Sequence, residues 1–246
     1  MHAIEFSASS LRRLALLLAV AIFASSPAAF ADVISTFDTD KDGWTLFQND
    51  GAPFDWISTG GNPGGYIGAT DKTNDWAYVQ APSKFLAPAA YGGTLSFDLK
   101  VDNLNQPAGF PGIFAVRVGL QGAGFTLINE GALPTTTWTN YSFTLDELSA
   151  HGWRKFSNFS QNYSVGAPLA TQAEMQSVLA GLTRLVIATD YTLASIDSNV
   201  PQVDRTYIDN VRLSTAEVPE PTSLALLSLG FGSLGVLRLR RRAISA

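Results

Sequence analysis

Apolar and polar residues alternate with a period of two through the middle of the chain, the pattern of strands with one buried face. Residues 94–102 alternate without a fault, with Leu95, Phe97, Leu99 and Val101 on one face and Ser96, Asp98 and Lys100 on the other. Residues 113–121 place Phe114, Val116, Val118 and Leu120 inward, with Arg117 and Gln121 outward. Residues 137–145 put Tyr141, Phe143 and Leu145 on one face. In residues 206–213 the same spacing puts Tyr207, Val211 and Leu213 inward, with Asp209 among them. Shorter strands are predicted at 44–47, 54–58, 65–69, 76–80, 124–129 and 183–189. Turn residues separate them at Gly60–Gly65, Tyr91–Gly93, Pro107–Pro111 and Gly131–Pro134. One segment has a helical period: the capping box Thr171-x-x-Glu174, followed by Met175, Val178, Leu179 and Leu182. Many strands and one short helix predict an all-β, jelly-roll-like β-sandwich.

The two ends read differently. Arg12 and Arg13 precede the apolar run Leu14–Phe23, and Ala29-Phe30-Ala31 follows. That order predicts a signal peptide over residues 1–31, with a short signal helix cut by signal peptidase between Ala31 and Asp32. Ten apolar residues give a helix of roughly 15 Å, half the hydrocarbon core, so the segment is read as a leader for the general secretory route. At the other end, Val218-Pro219-Glu220-Pro221 precedes an apolar helix of about residues 223–239 and a basic end, Arg238, Arg240, Arg241 and Arg242. The prolines hold the motif extended. The helix, roughly 25 Å long, is a short transmembrane span of the inner membrane, and the terminal arginines hold its end on the cytoplasmic side. The three parts of residues 218–246 in this order resemble the PEP-CTERM sorting signal. That resemblance implies that an exosortase-type transpeptidase grips Val218–Pro221, removes the tail and delivers a bacterial protein to the cell surface or extracellular matrix. Retention of the tail as a simple anchor is the alternative.

Between the ends lies the body, residues 32–217, long enough for one all-β domain. Its 10 Lys and Arg against 19 Asp and Glu give a net charge of 10 − 19 = −9. Such a surface has no electrostatic basis for holding nucleic acid. Cysteine is absent, which excludes disulfides, thiolate metal sites and a cysteine nucleophile. Only His2 and His151 are present, and His151 stands in a His-Gly-Trp context without a nucleophile elbow.

A run of motifs covers most of this body: Gly43-Trp44, Asn62-Pro63-Gly64-Gly65-Tyr66, Ala81-Pro82-x-Lys84-Phe85-Leu86 and Tyr91-Gly92-Gly93-Thr94-Leu95-Ser96-Phe97-Asp98-Leu99. Val178-Leu179-Ala180 leading into Leu185-Val186-Ile187 completes it. The order resembles the laminin IV type A domain, also called laminin B. The resemblance implies a jelly-roll module of matrix proteins without catalytic residues.

Two constellations remain as candidate sites. Aromatic residues are dense in residues 44–78, interleaved with acids and amides. Sugar sites combine a flat aromatic surface with such polar groups, so Trp56, Asp71, Asn74, Asp75 and Trp76 form the candidate ligand site, with Trp76 expected at the surface. Asp38-x-Asp40-x-Asp42-Gly43 opens like a calcium-binding EF-hand loop, but its twelfth position is Asn49 and no helices flank it. The calcium expectation is instead a structural ion held by Asp209 with one or more of Asp38, Asp40 and Asp42. The competing reading has Asp209 accepting backbone hydrogen bonds. The sequence thus points to a non-enzymatic exported protein that binds polysaccharide or another matrix component. A glycoside hydrolase and a purely structural envelope protein are the alternatives.

Overall fold

The structure, a computed structural model, describes residues 32–48, 51–71, 76–87, 91–102, 104, 113–148, 152–159, 166–191 and 204–214. The expected signal helix, its cleavage residues Ala29 and Ala31, and the sorting motif Val218–Pro221 with its helix lie outside the described residues, as do Asn74 and Asp75. No helix among the described residues is long and apolar enough to cross a membrane.

The described strands are β1 (Val33–Ser35), β2 (Thr45–Phe47), β3 (Phe54–Ile57), β4 (Tyr66–Asp71), β5 (Tyr78–Gln80), β6 (Thr94–Val101), β7 (Arg117–Gly122), β8 (Phe125–Glu130), β9 (Thr139–Thr144), β10 (Arg154–Phe156), β11 (Leu182–Ala188) and β12 (Asp204–Ser214). They form two six-stranded antiparallel sheets. One runs β3-β4-β12-β6-β9, with β1 also on β12, and the other runs β10-β8-β7-β11-β5-β2. The core lies between them. Leu95, Phe97 and Leu99 of β6 meet Val118 and Leu120 of β7, Leu127 of β8 and Leu185 and Ile187 of β11 in one buried cluster. Phe97 stacks on Phe143 at 6.0 Å, and Trp153 donates its indole N–H to the Thr144 carbonyl at 2.8 Å.

The helix α1 (Gln172–Ala180) starts as the capping box requires: the Glu174 amide donates to Thr171 Oγ1 at 3.3 Å and the Thr171 amide to Glu174 Oε2 at 2.9 Å. It ends at Gly181, and Leu182, placed on the helix by its spacing, instead opens β11. Met175, Val178 and Leu179 are the buried stripe.

β12 departs from simple alternation. Asp209 pairs with Asp98, but Arg212 pairs with Ser96, so β12 has one residue more than β6 over that stretch. Asn210 takes up the extra residue at φ 49°. Before the bulge, Ile208 points into the core and Tyr207 and Asp209 point out; after it, Val211 and Leu213 point in. The expected grouping of Tyr207 and Asp209 with Val211 on the inner face is therefore corrected, because a bulge exchanges the two faces of a strand.

Candidate functional site

The outward face of the β12 sheet gathers three aromatic rings, two from separate strands and one from the approach to β9. Tyr207 of β12 lies between Lys100 of β6 and Gly68 of β4. A Cβ at Gly68 would stand 3.1 Å from the Tyr207 ring, so the glycine makes room for it. Tyr66, two residues before Gly68 on the same face, sits edge-on to Tyr207 at 5.4 Å and to Trp138 at 5.4 Å. Trp138 enters just before β9, and its indole N–H donates to the Gly60 carbonyl at 3.1 Å. All three rings are half-buried. The Lys100 ammonium stands 4.6 Å from the Trp138 ring centre, 5.2 Å from Tyr207 and 5.4 Å from Tyr66. Burial, and then a hydrogen bond to Asp102, push the Tyr207 hydroxyl up to about 12. It stays protonated and donates. The Arg205–Asp55 ion pair at 2.9 Å closes one side of the platform.

Beside the rings, Asp98 accepts from Asn140 at 2.9 Å, Asn62 at 3.2 Å and Asn210 at 2.9 Å. Asp209 is fully buried although it points outward, because the 60–64 turn covers it. Its Oδ2 accepts the Asn62 amide at 2.6 Å and its Oδ1 the Asn210 amide at 2.7 Å. Burial raises its carboxyl above the usual range; those two bonds oppose the shift, and the charges of Asp98 and Asp38 add to it.

The residues expected from sequence do not form one site. Trp56 lies on β3, half-buried, and donates to the Phe37 carbonyl at 2.6 Å. Asp71 is buried at the end of β4. Trp76 leads into β5 of the other sheet and is only 5% exposed, which corrects its expected exposure. The Arg117 guanidinium lies 3.3 Å from the Trp76 ring centre, and Phe114 covers it at 5.0 Å. Of the expected calcium residues, Asp38 adds to the field at Asp209. Asp40 accepts the Asp42 amide at 2.6 Å, and Asp42 holds Ser35 Oγ at 2.7 Å and pairs with Lys84. Among the described residues no three acidic or histidine side chains are grouped as a metal site. Sequence reasoning does not reach Trp138, Tyr207, Lys100 and Asp98 as site residues. The available signal is the fault-free alternation of 94–102, which puts Lys100 and Asp98 on the outer face.

The outward face of the β7 sheet is partly covered by its own chain. Phe159 packs over Gly119, where a Cβ would stand 2.4 Å from the ring, and over Tyr78 and Phe47 at 5.8 and 5.7 Å. Beside it, Arg117 donates Nη2 to Glu130 Oε1 at 2.6 Å.

Two stacked antiparallel sheets with one capped α-helix among the described residues define the body as a β-sandwich module. The Laminin B (Domain IV) profile matches residues 78–227, and the chain belongs to that family. A PEP-CTERM protein-sorting motif matches residues 217–242, across Val218–Pro221. Laminin subunit gamma-1 of Homo sapiens is 30% identical over 193 residues, 75% of this chain and 10% of that protein. Human laminin subunit gamma-2 is 27% identical over 188 residues, 75% of this chain and 14% of its own. The chain thus spans about a tenth of the length of the gamma-1 subunit it matches. Among solved structures, the L4b domain of human laminin alpha-2 overlays with a TM-score of 0.50 at 14% identity, covering 76% of this chain and 98% of that domain, so the fold is shared. A Family 11 carbohydrate-binding module of a Clostridium thermocellum cellulase overlays with a TM-score of 0.45 at 12% identity, over 77% of this chain and 97% of its own. The sorting motif and the laminin-type domain fit a secreted or cell-surface protein.

Proposed function

We propose that the chain is a non-catalytic surface or matrix protein that binds polysaccharide on the outward face of the β12 sheet. The grouping of Tyr66, Trp138 and Tyr207 around Lys100 carries this reading. Half-exposed rings offer apolar faces to pyranose rings, while Lys100, Asp102 and the Asp55–Arg205 pair offer donors and acceptors to hydroxyls. Binding is tested by affinity electrophoresis of the full chain, in a mild detergent, through gels containing neutral glucans or xylans. Retardation is expected, and Trp138→Ala weakens it about tenfold, the effect of roughly 1.4 kcal/mol. Retardation by no glycan overturns the reading in favour of a structural envelope role, and turnover of a reporter glycoside overturns the absence of catalysis.

Delivery belongs to the same proposal. Signal peptidase releases residues 1–31, and an exosortase-type enzyme acts at Val218–Pro221 and separates the 32–217 body from the membrane helix. The sorting-motif match over residues 217–242 supports this. Mass spectrometry of surface-released protein is expected to lack residues 224–246, and their retention refutes processing. A bound calcium ion would draw on Asp209 with one or more of Asp38, Asp40 and Asp42, in place of hydrogen bonds that each of them accepts here. Melting with and without EDTA tests that ion.

A further inference from the structure

The outward face of the β7 sheet carries a cation with no acidic partner among the described residues. In β11, Leu182 pairs with Gly122 but Arg184 pairs with Gln121, so Thr183 is an extra residue, and its hydroxyl donates to the Gln121 carbonyl at 3.0 Å. Bulges re-aim the side chains beside them. Here Arg184 donates Nε to Gln80 Oε1 at 2.8 Å and Nη1 to Gln121 Oε1 at 3.0 Å. Its guanidinium carbon lies 4.3 Å from the Phe47 ring centre. Gln121 is steadied in turn by Thr126 Oγ1 at 3.3 Å. Gln80, Arg184, Gln121 and Thr126 come from β5, β11, β7 and β8, four adjacent strands, so the row runs across the sheet for about 14 Å.

Every partner of Arg184 in that row is neutral. Ion pairs among the described residues engage Lys84, Arg117, Lys155, Arg205 and Arg212. On the neighbouring strand Arg117 is matched with Glu130, as expected for a cation placed for stability on so acidic a body. Two amides and a ring instead hold Arg184 flat, and its Nη2 hydrogens have no partner among the described residues. Gln80, Arg184 and Gln121 are each partly exposed. A guanidinium fixed in this way matches a carboxylate, and flanking carboxamides match hydroxyls. We propose that this row is a second binding site, for an acidic polysaccharide, with the carboxylate of a uronic residue on Arg184 and neighbouring hydroxyls on Gln80 and Gln121. A single cation in so long a row suits a sugar polymer with one charge among many hydroxyls better than a densely acidic peptide.

The test compares polygalacturonate with the same polymer fully methyl-esterified, using the full chain in a mild detergent. Wild type is expected to bind the acid form at least about tenfold more tightly than the ester, and to lose that preference as salt rises to about 0.5 M. Arg184→Gln removes the preference while Trp138-dependent retention by neutral glycan stays, which separates this site from the aromatic platform. Arg184→Lys keeps the charge but not the fork and falls between. Should Arg184→Gln fail to fold, Gln80→Ala carries the test, because it frees the guanidinium without touching charge and weakens the acid form several-fold. Equal affinity for acid and ester, an Arg184→Gln protein indistinguishable from wild type, or equally tight binding of polyglutamate each overturns the proposal.

Discussion

Asp209 ties the Asn62 turn to the bulge of β12, and its removal gives the most decisive test of how this face is built. In Asp209→Ala two part-buried amides, those of Asn62 and Asn210, lose a buried acceptor at 2.6 and 2.7 Å. Each N–H left unmade costs at most about 1–3 kcal/mol when buried, so the gross loss for these part-buried amides is up to about 2–6 kcal/mol. Against it stands relief: a carboxylate that burial and two acidic neighbours hold above its usual range no longer has to ionise. The net expectation at neutral pH is about 3 kcal/mol, or roughly 6–12 °C in melting temperature for a domain of this size. Urea denaturation followed by tryptophan fluorescence, in EDTA so that no cation stands in, measures it. The pH trend adds a second check. A carboxyl with a raised native pKa stabilises the fold below its unfolded value near 4 and loses that contribution as pH rises through the native value. The gap between wild type and Asp209→Ala therefore narrows from acid towards neutral pH. A loss below about 0.5 kcal/mol, the size of an ordinary surface substitution, refutes the reasoning. So does a gap that widens with pH.

Other perturbations have equally definite outcomes. Trp76→Ala is expected to cost about 3–5 kcal/mol in chemical denaturation, since the ring is buried beneath Arg117, yet to leave neutral-glycan binding intact once folded. Gly68→Ala places a methyl 3.1 Å from the Tyr207 ring; it should displace that ring and weaken glycan retention several-fold, at a stability cost of about 1–3 kcal/mol. Thr171→Ala removes the helix cap, and a loss of about 1 kcal/mol is expected by thermal melting. Glu174 is held down to about 2 by Lys155 and by the amide and hydroxyl of Thr171, so its contribution is full above its unfolded value near 4.5 and fades as pH falls towards 2. Glu174→Gln should flatten that acid limb, and an unchanged limb would show that the pair contributes nothing.

The fold was readable because its signal is periodic. The 94–102 alternation became β6 almost residue for residue, and the Thr171–Glu174 box capped α1 as spaced. Short edge strands such as β1 and β10, three residues each, have too few positions to show a period. The platform was legible only in parts. Tyr66 and Lys100 were visible as an aromatic and an outward cation, but their meeting with Tyr207 depends on the bulge at Asn210, which shifts the phase of β12 without a glycine or proline to mark it. Trp76 misled because a tryptophan after a polar run reads as exposed, whereas Arg117 and Phe114, from a strand region far along the chain, fold over it. No local window contains that information.

β12 is the last described strand, and it is held by β6 along one side and by β4 and β1 along the other. Any load applied beyond Ser214, by a membrane tether or an enzyme that has seized the tail, therefore enters the sandwich at an interior strand. Pulling it out means sliding ladders on both sides at once, in shear, instead of peeling an edge one hydrogen bond at a time. A module fastened to a surface by its C-terminus would resist detachment at the point where traction is applied, and the ring group of Tyr66, Trp138 and Tyr207 rides on that same strand through Tyr207.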